Sequence, residues 1–541
     1  MDEFDFSRLD GLRNEAPNQA SQAKETLAMF QMGLDRHNSG DLRSAASVYE
    51  EVLRRDPKNA EALHLLGLVA YQAGQPVPAI DFMSQAIALS PEAAPMYGNR
   101  GLALAAAGRQ EEALADFDRA IALQPDLAAP HHNRGAALQA LGRTEEAIAS
   151  YDRALQLNPR NAGVFNDRGA SLRALGRRDA ALADYDAALA LDPKNVAAWY
   201  NRGGTLRDLG RVEEAVESYG QAVALNPDLA IAHHNRALCR LQLGDYLGGF
   251  EEYEWRKRCP TFDDPRYGLE RPWAGERLKG KSLFVFPELY QGDVIQFARF
   301  VLAAEQAGAR VTLAAPKAMH ALLQTLSPSI NLRGEDEAGE SYDYQSPLLS
   351  LPHAFKTTLE SLPNAPYLRA DPARVAHWRE AIGPQGFKVG VVWQGSTLPY
   401  ALPLQRSFPL AALKGLAALP DVRLISLQKV NGLEQLHTLP KGMAVEDLGE
   451  GFDPGPEAFV DTAAAMSCCD LVITPDTSVA HLAGALGVNT WVALPAVSDW
   501  RWMSARDDSP WYPHTRLFRQ SVPGDWTAVF DEMAGALKGL R

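Results

Sequence analysis

Two consecutive stretches of 34 residues share one pattern: residues 94–127 read APMYGNRGLALAAAGRQEEALADFDRAIALQPDL, and residues 128–161 read AAPHHNRGAALQALGRTEEAIASYDRALQLNPRN. In both, glycine stands at the eighth and fifteenth positions, alanine at the twentieth and proline at the thirty-second. The proline keeps this step along the chain: Pro57, Pro91, Pro125, Pro159, Pro193 and Pro227. Small residues let two helices cross closely, glycine ends the first helix and proline stops the second. The pattern therefore predicts two helices in each stretch.

The period extends over residues 26–255 as six complete repeats and a degenerate seventh, in which Ala237 and Gly249 replace the expected glycine and alanine. A 34-residue helix-turn-helix period is the signature of the tetratricopeptide repeat, which stacks into an α solenoid. A terminal repeat is atypical because one of its faces has no neighbouring repeat. We therefore predict an α solenoid that holds a protein partner, preceded by a polar tail over residues 1–25.

The charge, the length and the cysteine content of the chain exclude several classes of protein. A net charge of −14 over 541 residues argues against a general binder of nucleic acid, and the length predicts two to four domains. The four cysteines have no CxxC spacing, which favours reduced thiols over a metal site. The acidic N-terminus is unlike a signal peptide, and no apolar run is long enough to span a membrane. We expect a soluble cytoplasmic protein that binds no nucleic acid.

A polar column runs through the repeats at their sixth position. Its members are Asn99, Asn133, Asp167, Asn201 and Asn235. This position lies on the first helix, whose face lines the concave surface, and stacked amides there could bind the backbone of an extended acceptor peptide. Alternatively, the amides bond to a neighbouring helix. The arginines at the seventh position are expected to pack their stems between helices and direct their charges to solvent: Arg100, Arg134, Arg168, Arg202 and Arg236.

From Lys281 onwards the helical period gives way to short apolar runs. They are SLFVF (282–286), ARVTLAA (309–315), KVGVVW (388–393), RLISL (423–427), DLVIT (470–474) and TWVAL (490–494). Strands that alternate with helices predict an α/β fold with parallel sheets.

We divide this part into a linker, two Rossmann-like halves that face a cleft, and a last helix. The linker covers residues 256–280, and the halves cover residues 281–385 and 386–541. The last helix, near residues 526–540, is expected to pack on the first half. Residues 336–372 are rich in proline and are predicted to be irregular.

Candidate ligand-binding residues follow the strands, because ligands of such folds bind beyond the carboxyl ends of the strands. Asp293 follows the first strand and starts a helix, so it is either an N-terminal cap or a general base. After the KVGVVW strand, a small turn would allow close approach of a ligand; it comprises Trp393, Gln394, Gly395 and Ser396. Gln428 and Lys429 follow the next strand, and Lys429 either binds an anion or is an ordinary surface lysine.

The segment ITPDTSVAHLAGALG (473–487) carries the most specific signal of the C-terminal part. Asp476, Thr477 and Ser478 start a helix whose free amides favour phosphate, and His481 follows one turn later. Arg406 is expected to lie across the cleft from His481, so that two cations flank one helix terminus and neutralise a nucleotide diphosphate. We favour a site for a nucleotide diphosphate over a simple helix cap.

Several segments resemble glycosyltransferase family 9, which contains the bacterial heptosyltransferases. They are GDVIQFARF (292–300), WQGS (393–396), RSFPL (406–410), SLQK (426–429), DTSVAHLAGALG (476–487) and DWRWM (499–503). YEWR (253–256) and WAGERLKGKSL (273–283) resemble relatives that are fused behind tetratricopeptide repeats, including bacterial flagellin glycosyltransferases.

The resemblance implies a GT-B fold and an inverting, metal-independent transfer from a nucleotide sugar to Ser or Thr of a protein such as flagellin. It implies that Asp293 is the base, and that the donor phosphates are held by Arg406, Thr477, Ser478 and His481.

The chain departs from this group in two places. Tyr290 stands where the group has a glycine, and residues 396–405 contain no charged side chain. The second departure is compatible with another donor, such as a CMP-linked nonulosonic acid. It is also compatible with a catalytically silent, chaperone-like scaffold, and transfer to a glycan or lipid is a further alternative.

Overall fold

The computed structural model describes residues 19–262, 271–288, 290–335, 341–395 and 406–540. The chain forms two compact units, the first ending at Thr205 and the second running from Leu206.

The first unit is built of antiparallel helix pairs that follow the predicted period. Its helices are α1 (Gln19–Asn38), α2 (Leu42–Arg55), α3 (Ala60–Gln72), α4 (Pro76–Leu89), α5 (Ala94–Ala106), α6 (Gln110–Leu123), α7 (Ala128–Ala140), α8 (Thr144–Leu157), α9 (Ala162–Ala174), α10 (Arg178–Leu191) and α11 (Val196–Asp208), which crosses the boundary between the units. The predicted helical solenoid is therefore present.

The repeated small residues stand where the two helices of a pair touch. A Cβ atom on Gly101 would lie 2.6 Å from the ring of Phe117, and one on Gly135 would lie 2.5 Å from the ring of Tyr151. The glycines at the fifteenth position have φ between 74° and 90°, a backbone conformation that side chains disfavour. The alanines at the twentieth position are fully buried: Ala45, Ala79, Ala113, Ala147, Ala181 and Ala215.

The arginine column departs from our expectation, because its charges pair with acidic side chains of the second helices. Arg100 binds both carboxylate oxygens of Asp116 at 2.7 Å. Arg168 binds Asp184 in the same way at 2.6–2.8 Å and also contacts Asp152. These guanidinium groups hold helices together rather than facing solvent.

The second unit begins with helices of the repeat array. They are α12 (Val212–Leu225), α13 (Ala230–Gln242) and α14 (Tyr246–Tyr253), followed by short 3₁₀ turns at Glu254–Arg258 and Pro260–Phe262. Helix α14 is shorter than the second helix of the other repeats, in agreement with the degenerate seventh repeat of the sequence.

Two parallel sheets follow in the second unit. The first has the order β3-β2-β1-β4, formed by β1 (Ser282–Phe286), β2 (Arg310–Ala314), β3 (Asn331–Arg333) and β4 (Tyr344–Pro347). The second has the order β6-β5-β7-β8-β9, formed by β5 (Phe387–Val391), β6 (Val422–Ser426), β7 (Leu471–Pro475), β8 (Thr490–Leu494) and β9 (Thr515–Arg519). All the ladders are parallel.

Helices connect the strands and cover the sheets. They are α15 (Gln291–Gln306), α16 (His320–Leu323), α17 (Leu351–Ala354), α18 (Pro372–Ile382), α19 (Lys414–Ala417), α20 (Val460–Met466), α21 (Ser478–Leu486) and α22 (Trp526–Leu540).

Two expectations for this part were wrong. Strand β4 and helix α17 lie in the region that we predicted to be irregular. Helix α22 packs on the second half rather than the first, because the rings of Trp526 and Phe530 lie 5.7 and 4.6 Å from that of Phe408.

Strand order places a crevice in each sheet. In the first sheet β1 lies between β2 and β4, and in the second sheet β5 lies between β6 and β7. In each sheet the next strand of the chain is added on one side of the first strand, and a later strand is added on its other side. Ligands of open parallel sheets bind at such switch points, outside the carboxyl ends of the strands. The loops after β1, β5 and β7 therefore border these crevices.

Candidate active site

Helices α15 and α21 begin beside each other, one after β1 and the other after β7. A Cβ atom on Gly292 would lie 3.3 Å from Ser478 Oγ and 3.4 Å from His481 Cδ2. The absence of a side chain at Gly292 therefore lets the two helix N-termini approach. Two of the predicted loops, the one that carries Asp293 and the one that starts segment 473–487, therefore meet in this cleft.

Asp293 lies in the first turn of α15 with only 7% of its surface exposed. Its Oδ2 accepts a hydrogen bond from the backbone N–H of Tyr290 at 3.1 Å. Its Oδ1 accepts one from Arg501 Nη2 at 2.5 Å. Burial raises the pKa of Asp293, and the Arg501 charge opposes that rise. The side chain thus caps its helix and also takes part in a charged cluster.

Arg501 is the main residue of this cluster that the sequence did not single out. It lies on the 3₁₀ turn Trp500–Trp502, which follows β8. Besides Asp293, its guanidinium binds Asp499 Oδ1 at 2.8 Å and Gln296 Oε1 at 2.7 Å. A single arginine between two tryptophans, in a loop at the carboxyl end of a strand, was the signal that could have found it.

Asp476 is a second buried carboxylate in the cleft. Burial and the neighbouring charge of Asp499 raise its pKa to about 6, although Arg501 and Arg406 oppose the rise. Its position between β7 and α21 is the one that the sequence predicts. The cleft therefore combines several carboxylates with few cations.

The start of α21 is open in a way that suits an anion. Thr477 is its N-cap residue, but its side chain does not cap the helix; its Oγ1 instead lies 3.0 Å from Thr474 Oγ1. Ser478 is the first helical residue, and its hydroxyl faces Gly292. First-turn amides that no side chain caps are the groups that bind phosphate at helix N-termini.

His481 does not supply the charge that we expected. Its Nδ1 lies 2.9 Å from Tyr512 Oη, and its ring stacks on Trp502 at 5.5 Å. Burial and the nearby arginines hold its pKa well below the ordinary value, so the ring is neutral at physiological pH. It can offer a hydrogen bond to a ligand, but not a cation.

Arg406 lies next to the start of α21. A Cβ atom on Gly395 would lie 3.3 Å from both Arg406 Nε and Thr477 Cγ2. Gly395 therefore leaves room for the guanidinium beside the helix N-terminus. Ser396 lies outside the described residues, as does the rest of the uncharged stretch up to residue 405.

The remaining predicted donor-binding residues have structural partners. Gln428 Oε1 accepts from the backbone N–H groups of Trp393 and Gln394 at 3.0 and 3.1 Å, and its Nε2 donates to the Gln394 carbonyl at 2.9 Å. The side chain of Trp393 is fully buried, so its ring belongs to the core and not to the cleft. Lys429 is exposed and donates to the carbonyl of Phe452. The structure therefore gives these side chains a supporting role.

Most of the asparagine column bonds between repeats, which is the alternative that the sequence left open. Asn99 Nδ2 lies 2.8 Å from His64 Nε2, and Asn201 Nδ2 donates to Asn166 Oδ1 at 3.0 Å. In the second unit, Asn235 Oδ1 accepts from Arg207 at 3.2 Å. In each case the side chain links neighbouring repeats.

Two members of the column stand apart. Asp167 lies 2.7 Å from His132 Nε2, so the one acidic member faces a histidine that can carry the opposite charge. Asn99 and Asn201 each bond to the side chain 35 positions earlier. For Asn133 that position is Gly98, which has no side chain and has open space around its Cβ position. Among the described residues, Asn133 is thus the member of the column whose amide makes no side-chain hydrogen bond. It is the strongest remaining candidate for a peptide contact.

The described residues contain no group of three or more His, Cys, Asp or Glu side chains that could hold a metal ion. Likewise, none of their helices is long and apolar enough to cross a membrane.

Comparison with protein families identifies the repeats. Models of the tetratricopeptide repeat match residues 30–94, 128–161, 166–228 and 205–254, and a model described as TPR repeat matches residues 101–142. The predicted tetratricopeptide repeats are confirmed.

Among curated proteins, the chain is similar to Protein FlbA of Caulobacter vibrioides (strain ATCC 19089 / CIP 103742 / CB 15), with 29% identity over 332 residues. The match covers 56% of this chain and 54% of that relative, so the chain spans about half the length of the curated protein it matches.

Similar solved structures cover about a third of the chain. YrrB, described as a TPR protein with an unusual peptide-binding site, is 23% identical, covers 36% of this chain and all of its own, and has a TM-score of 0.31. A thermophilic TPR protein of Thermus thermophilus is 25% identical, covers 34% of this chain and 98% of its own, and has a TM-score of 0.30.

Proposed function

We propose that this chain is a protein glycosyltransferase of GT-B fold, which moves a sugar from a nucleotide sugar to Ser or Thr of a protein acceptor. The observation that carries the proposal is the meeting of Asp293 with the open N-terminus of α21 in one cleft. A carboxylate can deprotonate the acceptor hydroxyl, and a helix start with free amides can hold the leaving phosphate, so the two groups together suit an inverting transfer. The resemblance to glycosyltransferase family 9 supports the same reaction.

The donor phosphate would bind at the start of α21. Amides of the first turn and the guanidinium of Arg406 would stabilise the negative charge that develops as the sugar–phosphate bond breaks. The hydroxyls of Thr477 and Ser478 and the neutral ring of His481 add hydrogen bonds. None of these steps requires a metal ion.

Asp293 would act as the general base on the acceptor. Its carboxylate takes the proton of the Ser or Thr hydroxyl, whose oxygen attacks the anomeric carbon from the side opposite the leaving phosphate. One C–O bond forms as the other breaks, and the anomeric configuration inverts. Burial brings the pKa of Asp293 closer to neutral pH than that of an exposed carboxylate, as a base requires.

The repeats would bind the acceptor. Tetratricopeptide repeats suggest a protein partner, and members of the resembling group act on flagellin, so flagellin is the first acceptor to test. The uncharged stretch over residues 396–405 makes a CMP-linked nonulosonic acid the first donor to compare with UDP- and GDP-sugars. The four cysteines are unpaired, which supports a reducing compartment such as the cytoplasm.

Calorimetry with a panel of nucleotide sugars tests the donor half of the proposal. We expect one donor to bind, Arg406→Ala to weaken binding at least about tenfold, and Lys429→Ala to leave it unchanged, because loss of one charge-assisted contact costs ~1.5–3 kcal/mol. Asp293→Ala should keep donor binding and lose transfer. Absence of binding across the panel would favour the silent scaffold instead.

A further inference from the structure

The last helix pair of the repeat array packs against the turn that carries Arg501. The ring of Phe250 on α14 lies 5.9 Å from that of Trp500 in an edge-to-face arrangement, and the ring of Tyr253 lies 6.5 Å from it. On α13, Gln242 Nε2 donates to the carbonyl of Ser498 at 3.4 Å. Trp500 is buried, so these contacts fix the position of its turn.

The end of the same array also holds the loop before Asp293. Arg256 follows α14 and binds Glu288 at 2.8 Å, and both side chains are fully buried. Glu288 in turn accepts from the backbone N–H of Leu349 at 2.9 Å. An ion pair without solvent access tolerates little movement, because either charge alone would be costly in that place.

Arg501 connects the turn that carries Trp500 with the helix start that carries Asp293. Its guanidinium stacks on Trp500, with Cζ 4.7 Å from the ring centre, and binds Asp293 at 2.5 Å. Two of its other N–H groups donate to Asp499 and Gln296. A guanidinium with this many partners is a poor ligand for a phosphate, but it is well placed to orient a carboxylate.

We propose that Arg501 is a positioning residue that orients Asp293, and that helix α14 positions Arg501 through Trp500. The last pair of the repeat array is then part of the transfer centre and not only of the acceptor-binding solenoid. The inference has two halves. The positional half, that α14 and Arg501 fix the position of Asp293, does not depend on the proposed function. The catalytic half, that this position matters for sugar transfer, rests on the proposed function.

Hydrogen exchange of the full chain tests the positional half without any activity. In Arg501→Gln, we expect exchange in a peptide covering residues 290–296 to rise about tenfold or more, because Asp293 loses the contact that holds it against the first turn of α15. Arg501→Lys should rescue part of the protection. Arg506→Gln is the matched control, since Arg506 lies in the same loop and pairs with the exposed Asp508.

Two variants on α14 test the support from the repeat array. Phe250→Ala removes the ring that contacts Trp500 and should raise exchange in the same peptide. Leu247→Ala is the control on the same helix, because Leu247 is 52% exposed. If Arg501→Gln and Phe250→Ala leave this exchange unchanged, the inference is overturned; Phe250→Leu replaces Phe250→Ala if the latter does not fold.

The pH profile of transfer tests the catalytic half. Asp293 is faced by Arg501 and Asp499 from the β8 loop, and Tyr253 from α14 interacts with its charge. His481 from α21 lies beside the neighbouring Gly292, and Glu288, which precedes Asp293 in the chain, is paired with Arg256. Removing Arg501 takes away the main interaction that opposes the effect of burial on the pKa of Asp293, and leaves only the hydrogen bond from the Tyr290 backbone. The acid limb of kcat/KM should therefore move to higher pH in Arg501→Gln and stay in place in Arg506→Gln. Altered exchange with no transfer by any variant or the native chain would contradict the proposed function and leave the positional half standing.

Discussion

The two oxygens of the Asp293 carboxylate have different partners, a backbone amide of its own helix and the guanidinium of Arg501. The sequence posed a choice between a helix cap and a base, and the geometry allows both. That Asp293 follows a strand and starts a helix could be predicted from local sequence. That it meets Arg501, 208 residues away, could not, because only the tertiary fold brings the two together.

Asp476→Asn should stabilise the protein at neutral pH. The pKa of Asp476 is raised from 3.8 to about 6, so the folded state favours its protonated form and loses stability as the pH rises from about 4 through 6. The asparagine variant does not titrate and therefore keeps its stability as the pH rises. The urea midpoint of the variant should exceed that of the native chain at pH 7.5 but not at pH 4.

Asp508→Asn is the control for that measurement. Its pKa is lowered by the hydrogen bond from Arg506, so this variant should be less stable than the native chain at neutral pH. Equal effects of both variants at pH 7.5 would contradict the assignment of a raised pKa to Asp476.

Asn133 and Asn201 should respond differently to alanine. Asn201→Ala removes the hydrogen-bond donor to Asn166 Oδ1 and should lower the free energy of unfolding by ~1 kcal/mol. Asn133→Ala should change it by less than ~0.5 kcal/mol. If Asn133 contacts the acceptor, its alanine variant should weaken acceptor binding about five- to tenfold in fluorescence anisotropy. Unchanged affinity for the acceptor would remove Asn133 from the proposed binding surface.

At the scale of elements, helix α5 contains two glycines with opposite surroundings. Gly101 stands at the crossing with α6, and Gly98 faces open space. The repeat period identified Gly101 as structural, since it recurs at the same position. Gly98 has no equivalent in the other repeats, so the sequence alone gave it no role.

Alanine at these two positions should change stability in opposite directions. Gly101→Ala places a methyl group against the ring of Phe117 and should cost ~1–3 kcal/mol of the free energy of unfolding. Gly98→Ala should add ~0.5–1 kcal/mol, since alanine favours a helix and meets no neighbour here. Urea unfolding followed by circular dichroism measures both, and stabilisation by Gly101→Ala would refute the close crossing.

Strands show where sequence patterns suffice and where they do not. The six apolar runs all contain strands, because a buried parallel strand is a continuous apolar run. β4 was not predicted, since its four residues, YQSP, form neither an apolar run nor an alternation of apolar and polar residues.

The apolar face of α22 predicts that the helix packs on a sheet, but it does not say on which one. Likewise, the neutrality of His481 follows from burial, which the sequence does not report.

At the scale of the whole molecule, the compact units do not divide the chain where the repeats end. The second unit begins at Leu206, and its helices α13 and α14 pack on the loops of the β8 side. The repeat period defines a family of similar helix pairs, but it contains no information about which pair is bound to the sheets. A fragment designed from the period alone would therefore cut through a core.

Two fragments test this division. A fragment from Gly210 keeps α12–α14 and should be monomeric with one sharp unfolding transition. A fragment from Arg271 loses Phe250, Tyr253 and Arg256, exposes Trp500 and Trp511, and should aggregate in size-exclusion chromatography. A monomeric, folded fragment from Arg271 would show that the sheets do not need the last helix pair.

Transfer by the fragment from Gly210 then separates the acceptor classes. If the repeats bind a protein acceptor, this fragment should keep donor affinity within about twofold and lose transfer to protein, since most of the array is gone. Full transfer by the fragment would instead favour a glycan or lipid acceptor.

The central claim is that Asp293 lies in the active site of a sugar transfer to protein, and intact-mass spectrometry of the acceptor tests it most directly. Flagellin isolated from cells that carry the native chain should show mass increments of whole sugars. Flagellin from cells with Asp293→Ala should show none, while cells with Arg506→Gln should retain them. Identical masses in all three, with or without increments, would contradict the account for this acceptor.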